Sequence, residues 1–273
     1  MVFASLAFLF VFLPLVLVCY HAAPHALRNP ILLIASLAFY AVGEGWYTLV
    51  MLGAIGAGWG FGLLVESFRA PRERAWATGI AVTLLIGVLV VFKYAGFLAE
   101  SIAPLLAALG LPQPHLDIHL PIGVSFFVFQ AASYVIDIYR GEVRAERSVL
   151  RFGVYKSFFP QLIAGPIVRY KDLVGQFDGR DPGLDDLAAG LRRFALGLAR
   201  KVLIADSAAQ VADACFALPA GQLTPAAAWL GAAAYGVQIY HDFAGYSDMA
   251  IGLARMFGFR FKENFDRPYA ATS

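Results

Sequence analysis

The chain is predicted to be all-α: a multi-pass transmembrane helical bundle with a re-entrant segment and an interfacial amphipathic helix. Three observations predict this class. Of 273 residues, 60% are hydrophobic and only 15% charged, with a mean hydropathy of +0.68, far from the composition of a water-soluble domain. The charges are also clumped. Arg28 and Glu44 are the only ones from Met1 to Val65, and Lys93, Glu100 and Asp117 the only ones from Ala75 to Ile136; apolar runs this clean suit membrane spans. Finally, the apolar stretch from Trp229 to Met256 contains His241, Asp242 and Asp248. An ionisable residue in a span costs at least about 2.5–3.5 kcal/mol on insertion scales, so such residues usually line a pathway or reaction site.

The elements follow in order. Phe3–Tyr20 is apolar, lacks a basic flank and exceeds the length of a signal-peptide core, so it reads as a retained first span. Pro30–Val42, Trp46–Val65, Trp76–Phe97 and Pro121–Tyr139 are the next four spans. Arginines cluster between them at Arg28, at Arg69, Arg72 and Arg74, and at Arg140, Arg144, Arg147 and Arg151. The positive-inside rule puts those loops in the cytoplasm and the N-terminus outside. In the third run, Gly56/Gly60 and Gly58/Gly62 suit close helix contact, and Lys93 near the end of the fourth would snorkel to the interface.

Ser101–Leu120 carries His115 and His119 at ligand-pair spacing, but its prolines make it a solvated outer connector, and no metal site is expected. Phe158–Val168 is apolar, too short to span, broken by Pro160, Gly165 and Pro166, and flanked by cations at both ends. It reads as a re-entrant segment with Gln161 inside the bundle, since broken backbone at membrane depth must be satisfied by protein or a wet cavity. Asp181 then serves as N-cap and Pro182 as first residue of a helix whose Leu184, Leu187, Leu191, Phe194, Leu198 and Val202 share one face. Such a helix lies on the inner membrane surface or packs against a neighbour. Cys19 and Cys215 read as packing residues. The whole of 1–273 reads as one membrane domain.

No phosphate-cradling loop, dinucleotide fingerprint, nucleophile elbow or zinc-protease motif occurs, and a net charge of +2 gives no reason to expect nucleic acid. At 100° per residue, Gln238, His241, Asp242, Gly245 and Asp248 fall on one side of a helix, with Tyr246 at its border. That stripe should face a bundle interior or a water-filled cavity. Gln161 and, in the fifth run, Ser125, Gln130, Tyr134 and Asp137 are further candidates. Three roles stay open for the stripe: hydrogen-bonded glue between helices, the lining of a tunnel, and proton transfer by His241 with Asp242 or Asp248 orienting its imidazole.

Three long motifs resemble the membrane-bound O-acyltransferase family, and within it the bacterial branch typified by alginate O-acetyltransferase membrane subunits. They are LPIGVSFFVFQAASYVIDIYRG (Leu120–Gly141), FFPQLIAGPIVRYKDL (Phe158–Leu173) and QIYHDFAGYSDMAIGLARMFGFRFKENFDRPY (Gln238–Tyr269). The opening MVFASLAFLFVFLP and FKYAGF at Phe92–Phe97 fit the same pattern. The resemblance implies a multi-pass protein of the bacterial inner membrane with a tunnel. It would take an acyl group, an acetyl by expectation, from a cytoplasmic thioester such as acetyl-CoA or an acyl carrier, with no bound cofactor. Delivery would be to hydroxyls of an exported polysaccharide such as alginate, with a periplasmic acetyltransferase partner and a polysaccharide export complex. D-alanyl and peptidoglycan acyltransferases share much of these motifs.

The resemblance gives Gln130, Tyr134, Gln161, Gln238, Asp242, Tyr246 and Asp248 a tunnel-shaping rather than a catalytic role. The family's histidines lie in a Trp-His-Gly-type motif and after a Trp-Arg-Arg-Trp-type stretch, and neither motif occurs here. The chain therefore reads as the N-terminal half to three-fifths of such an enzyme, inactive alone. His241 stands where the family usually has an aromatic residue. Two readings compete from other classes: a transporter, favoured by a broken helix and intramembrane carboxylates, and a non-catalytic assembly subunit.

Overall fold

The computed structural model describes residues 3–112, 116, 118–162, 165–166, 168–219, 221–266 and 268–270, and among these it is helical without a strand. A π-helical turn, Phe8–Phe12, leads into α1 (Leu13–Ala22), followed by α2 (His25–Glu44) and, through a 3₁₀ turn, α3 (Thr48–Ser67). Next come α4 (Pro71–Ala108), α5 (Val124–Tyr139), α6 (Val149–Ser157) and the short α7 (Phe159–Leu162) and α8 (Tyr170–Leu173). Then α9 (Leu184–Ala199) runs without a break through a π-helical segment, Arg200–Ala205, into α10 (Asp206–Phe216); α11 (Pro225–Met256) closes the series.

His25–Ser67 and Pro71–Ala108 contain stretches long and apolar enough to cross a membrane, and less than a third of either window is buried. Phe8–Ala22 and Val124–Tyr139 are shorter apolar helices. At 32 residues α11 is long enough to span, but its polar residues keep it out of the apolar class.

The residues gather into two compact units: Met1–Arg28, Ala164–Val168 and Gly175–Ser273 form the first, Asn29–Ile163 and Arg169–Val174 the second. In the second, α3, α4 and α5 pack together. Of the glycines expected to bring α3 close to a neighbour, only one pair does so. A Cβ on Gly62 would fall 2.5 Å from the Tyr134 ring and one on Gly58 3.0 Å from Phe152, whereas Gly56 and Gly60 face open space. Tyr134, Phe152, Tyr155 and Tyr170 form a buried aromatic cluster with centroids 4.7–6.5 Å apart. Gly123 caps α5 at φ +76, where a side chain is strained, and a Cβ there would also strike the Leu162 carbonyl oxygen at 2.7 Å.

The first unit is built on an antiparallel pair, α9–α10 against α11. Its seam is made of glycines. A Cβ on Gly190 would lie 2.6 Å from the Gly252 carbonyl oxygen, and one on Gly197 would lie 2.5 Å from that of Gly245. Both glycine pairs are seven residues apart on their own helix, two turns along one face. The N-terminal helix packs on this pair through Phe8 against Phe194 (6.4 Å), Phe3 stacked on Tyr246 (4.6 Å) and Tyr20 edge-on to Phe257 (5.1 Å).

Four expectations are corrected here. Arg28 is not in a loop but in α2, buried, donating to the Arg180 carbonyl and pairing with Asp181 at 3.3 Å. Asp181 is thereby engaged away from the helix start, and Gly183, not Asp181, is the N-cap of α9. Lys93 does not lie near a helix end, because α4 continues past it to Ala108; its ammonium sits over the Tyr94 ring at 5.6 Å. The packed stripe of α9 is Gly190, Phe194 and Gly197, while Leu184 and Leu191 of the expected face remain exposed. Close backbone approach selects the smallest side chains for the contact and leaves the leucines outward.

Candidate functional site

The seam between α9 and α11 carries the densest charge in the first unit. Asp248 is 15% exposed and accepts from two arginines: Arg193 through Nε (3.1 Å) and Nη2 (2.9 Å), and Arg200 through Nη1. Arg193 also grips Glu263 bidentately, with Nη1 2.6 Å from Oε1. That hydrogen bond holds the Glu263 carboxyl below its ordinary value. Six residues back along α11, Asp242 accepts from Lys201 at 2.6 Å, and Lys201 also reaches Asp206 at 3.3 Å. Asp186 joins Arg255 (3.1 Å) and Arg260 (2.8 Å). The Asn264 amide donates to Ser247 at 2.8 Å.

This network bears on the open roles. Asp242 and Asp248 are both taken by cations from the α9 side, and the Nδ1 of His241 has no partner among the described residues. Neither carboxylate orients the imidazole. Asp242, half-exposed, and Asp248 each join α11 to cations of the facing segment 193–201.

The other members of the stripe behave differently. Gln238 Oε1, His241 Nδ1 and Tyr246 OH are buried atoms without a hydrogen-bond partner, all on α11. Buried polar groups are rarely left unmatched, and each unsatisfied one costs about 1–3 kcal/mol.

In the second unit, Tyr134 is fully buried and its hydroxyl accepts from the Glu146 backbone N–H at 2.8 Å; Tyr170 OH donates to the Glu146 carboxylate at 2.6 Å. Gln130 is buried on α5. Gln161, on α7, donates to the Tyr155 carbonyl and leaves its own Oε1 without a partner. The Phe159 N–H is satisfied by Ser36 at 3.1 Å. Gln130, Tyr134 and Gln161 thus belong to the second unit and Gln238, Asp242, Tyr246 and Asp248 to the first.

Sequence reasoning named Asp137 as a candidate but missed its partner and several other groups. Asp137, fully buried, pairs with Arg169 (Nε–Oδ2 3.2 Å), which also lies 3.5 Å from Glu142. Lys171, 2.6 Å from Glu142, is the main reason that carboxyl titrates below its ordinary value. Lys156 is fully buried, donates to the Phe127 carbonyl and lies 5.8 Å from the centre of that ring. The matched seven-residue glycine spacings in α9 and α11 were the available signal for the seam. Nothing local pairs Arg193 with Asp248, 55 residues away. His119, expected in a solvated loop, meets Glu44 at 3.0 Å and the Tyr47 ring at 4.7 Å; His115 lies outside the described residues.

A helical chain with long apolar spans, close glycine-seamed helices and buried ion pairs is of the integral-membrane class. The membrane-bound O-acyltransferase family model matches residues 117–271, and the chain belongs to that family. It is 46% identical over 282 residues to a probable alginate O-acetylase AlgI of Azotobacter vinelandii, covering all of this chain and 55% of that protein. Its counterpart in Pseudomonas aeruginosa is 45% identical, over all of this chain and 52% of the relative. The peptidoglycan O-acetyltransferase of Helicobacter pylori is 31% identical over 99% of this chain and 57% of its own length. The chain spans about half the length of the curated relatives it matches.

Proposed function

We propose that this chain is part of an inner-membrane O-acetyltransferase that moves acetyl groups from a cytoplasmic thioester donor, acetyl-CoA or an acyl carrier, to hydroxyls of an exported polysaccharide such as alginate. The observation that carries the choice of polymer is the gradient of identity: 46% to a probable alginate O-acetylase, against 31% to a peptidoglycan O-acetyltransferase and 26% to a teichoic acid D-alanyltransferase. A periplasmic acetyltransferase and the polysaccharide export machinery are the proposed partners.

In this reading the apolar helices cross the bilayer several times, Phe158–Val168 dips in as a re-entrant segment, and the exposed leucines of α9 rest at the cytoplasmic interface. Within the first unit Gln238 and Tyr246 take tunnel-lining roles and Asp242 and Asp248 fix the helices that carry them; within the second, Gln130, Tyr134 and Gln161 take tunnel-lining roles of their own. Walls that exclude water limit hydrolysis of the thioester. Support comes from the unpartnered Gln238, His241 and Tyr246 atoms on one helix and the unpartnered Gln161 Oε1. His241 is wall, not base, since no carboxylate orients its ring.

The test is complementation. In an alginate-exporting bacterium deleted for its own membrane acetylase, the whole gene should restore acetyl esters on secreted alginate, read by proton NMR. Esters appearing on peptidoglycan instead, or D-alanine on a wall polymer, would reassign the acceptor; solute uptake into vesicles without any acyl donor would establish the transporter reading.

A further inference from the structure

Beside the charged seam lies a recess of about 530 Å³ within the first unit. Four arginines line it, Arg192, Arg193, Arg200 and Arg255, against one carboxylate, Asp248. Three of the four are tethered: Arg193 and Arg200 by Asp248, Arg255 by Asp186. Arg192 pairs with no carboxylate among the described residues. The rest of the lining is apolar and uncovered by the protein: Leu196 is 59% exposed, Leu203 69% and Ile204 41%. The π-helical segment Arg200–Ala205 contributes Arg200, Leu203 and Ile204 to this wall, and π turns recur at functional sites.

From this arrangement we infer that the recess is a binding site for the phosphate end of an amphiphile. The guanidinium fork matches phosphate oxygens bidentately, and a tethered arginine loses little side-chain freedom when it engages a ligand. The leucines define the other half of the ligand. A wholly polar anion would meet the arginines and leave this apolar lining unmatched, whereas a molecule with an apolar arm beside its phosphate packs against both. Two sources supply that chemistry: the phosphate-bearing end of an acyl thioester, whose naming as occupant rests on the acyl-transfer reading, and an anionic phospholipid. The site itself does not depend on that reading.

The whole gene product, purified in non-ionic detergent, is titrated with radiolabelled acetyl-CoA and with acetyl-pantetheine, which lacks phosphate. The same protein is examined by native mass spectrometry after extraction from membranes containing phosphatidylglycerol and phosphatidylcholine. The probe variants are Arg192→Gln, which breaks no ion pair, and Arg192→Lys, which keeps the charge. If the thioester occupies the site, acetyl-CoA binds more tightly than acetyl-pantetheine, and Arg192→Gln weakens it about tenfold, the size of one lost charge-assisted hydrogen bond; Arg192→Lys restores part of that. If a phospholipid occupies it, retained phosphatidylglycerol falls in Arg192→Gln while acetyl-CoA binding is unchanged. Either result supports the site. The inference is overturned if both probes ignore Arg192→Gln, or if an oligouronate binds there and neither phosphate compound competes. Because these are binding measurements, a protein that transfers no acetyl group but still shows the effect would sink the proposed function and leave the site standing.

Discussion

Replacing Gly197 by alanine sets two effects of opposite sign against each other. In an exposed helix interior, alanine stabilises over glycine by about 0.5–1 kcal/mol. At Gly197, however, the new Cβ would sit 2.5 Å from the Gly245 carbonyl oxygen, 2.7 Å from the Met249 nitrogen and 2.9 Å from the Asp248 Cβ. Two of these are backbone atoms, which cannot swing aside. Ordinary contact begins at 3.4 Å, so α9 and α11 must part locally by about 0.9 Å. A gap of about 0.5–1 Å forfeits a quarter to a half of each dispersion contact along the seam. It would also stretch the 2.6 Å Lys201–Asp242 contact to the limit of a hydrogen bond. Overpacking of this kind costs about 1–3 kcal/mol, which exceeds the gain in helix propensity. The expected result is a net loss of roughly 1–2 kcal/mol. Gly56→Ala is the control, with nothing within 4 Å of its Cβ; it should be neutral or slightly stabilising. The assay is the midpoint of thermal unfolding in one detergent, followed by intrinsic fluorescence for wild type and both variants. A Gly197→Ala midpoint at or above wild type would refute the glycine seam.

Arg169→Ala should be among the most damaging single changes, at about 3–5 kcal/mol, because it strands the fully buried Asp137 carboxylate. Asp137→Asn in the same background should recover part of the loss in the same unfolding assay. Glu263 titrates below its ordinary value of 4.5 because Arg193 donates to it. The pair's contribution is therefore complete above that value and disappears as pH falls through the lower folded pKa; Glu263→Gln should flatten the acid limb of a stability-versus-pH curve and leave neutral pH little changed. His241→Phe should leave polymer acetylation nearly intact in the complementation strain, since no carboxylate orients the imidazole. Loss of acetyl esters in a correctly inserted, normally abundant His241→Phe protein would give that ring a chemical role.

Much of the helical plan was legible because hydrophobic runs are a local property. Runs such as Trp46–Val65 and Pro121–Tyr139 coincide with α3 and α5 to within two or three residues at each end. Boundaries were less so: α4 continues past Phe97 to Ala108, since helix formation does not stop where the apolar run does. Asp181 shows the same limit at a cap. Its side chain is a good N-cap by type, but the buried Arg28 draws it elsewhere, and an ion pair across the fold outweighs a local preference.

The polar stripe divides in the same way. Periodicity placed Gln238, His241, Asp242 and Asp248 on one side of a helix, because 3.6 residues per turn is a fixed geometry. It said nothing of what that side meets. Sequence by itself determined that this is a helical membrane protein, and that polar groups share one side of α11. Only the tertiary structure decided which of them are neutralised: Asp242 and Asp248 by Lys201, Arg193 and Arg200, while buried atoms of Gln238, His241 and Tyr246 stay unmatched. The reason is physical. A charge's partner is set by where distant segments come together, and here four glycines let two backbones touch where Arg193 of α9, and Arg200 and Lys201 of the π-helical segment after it, meet the carboxylates of α11.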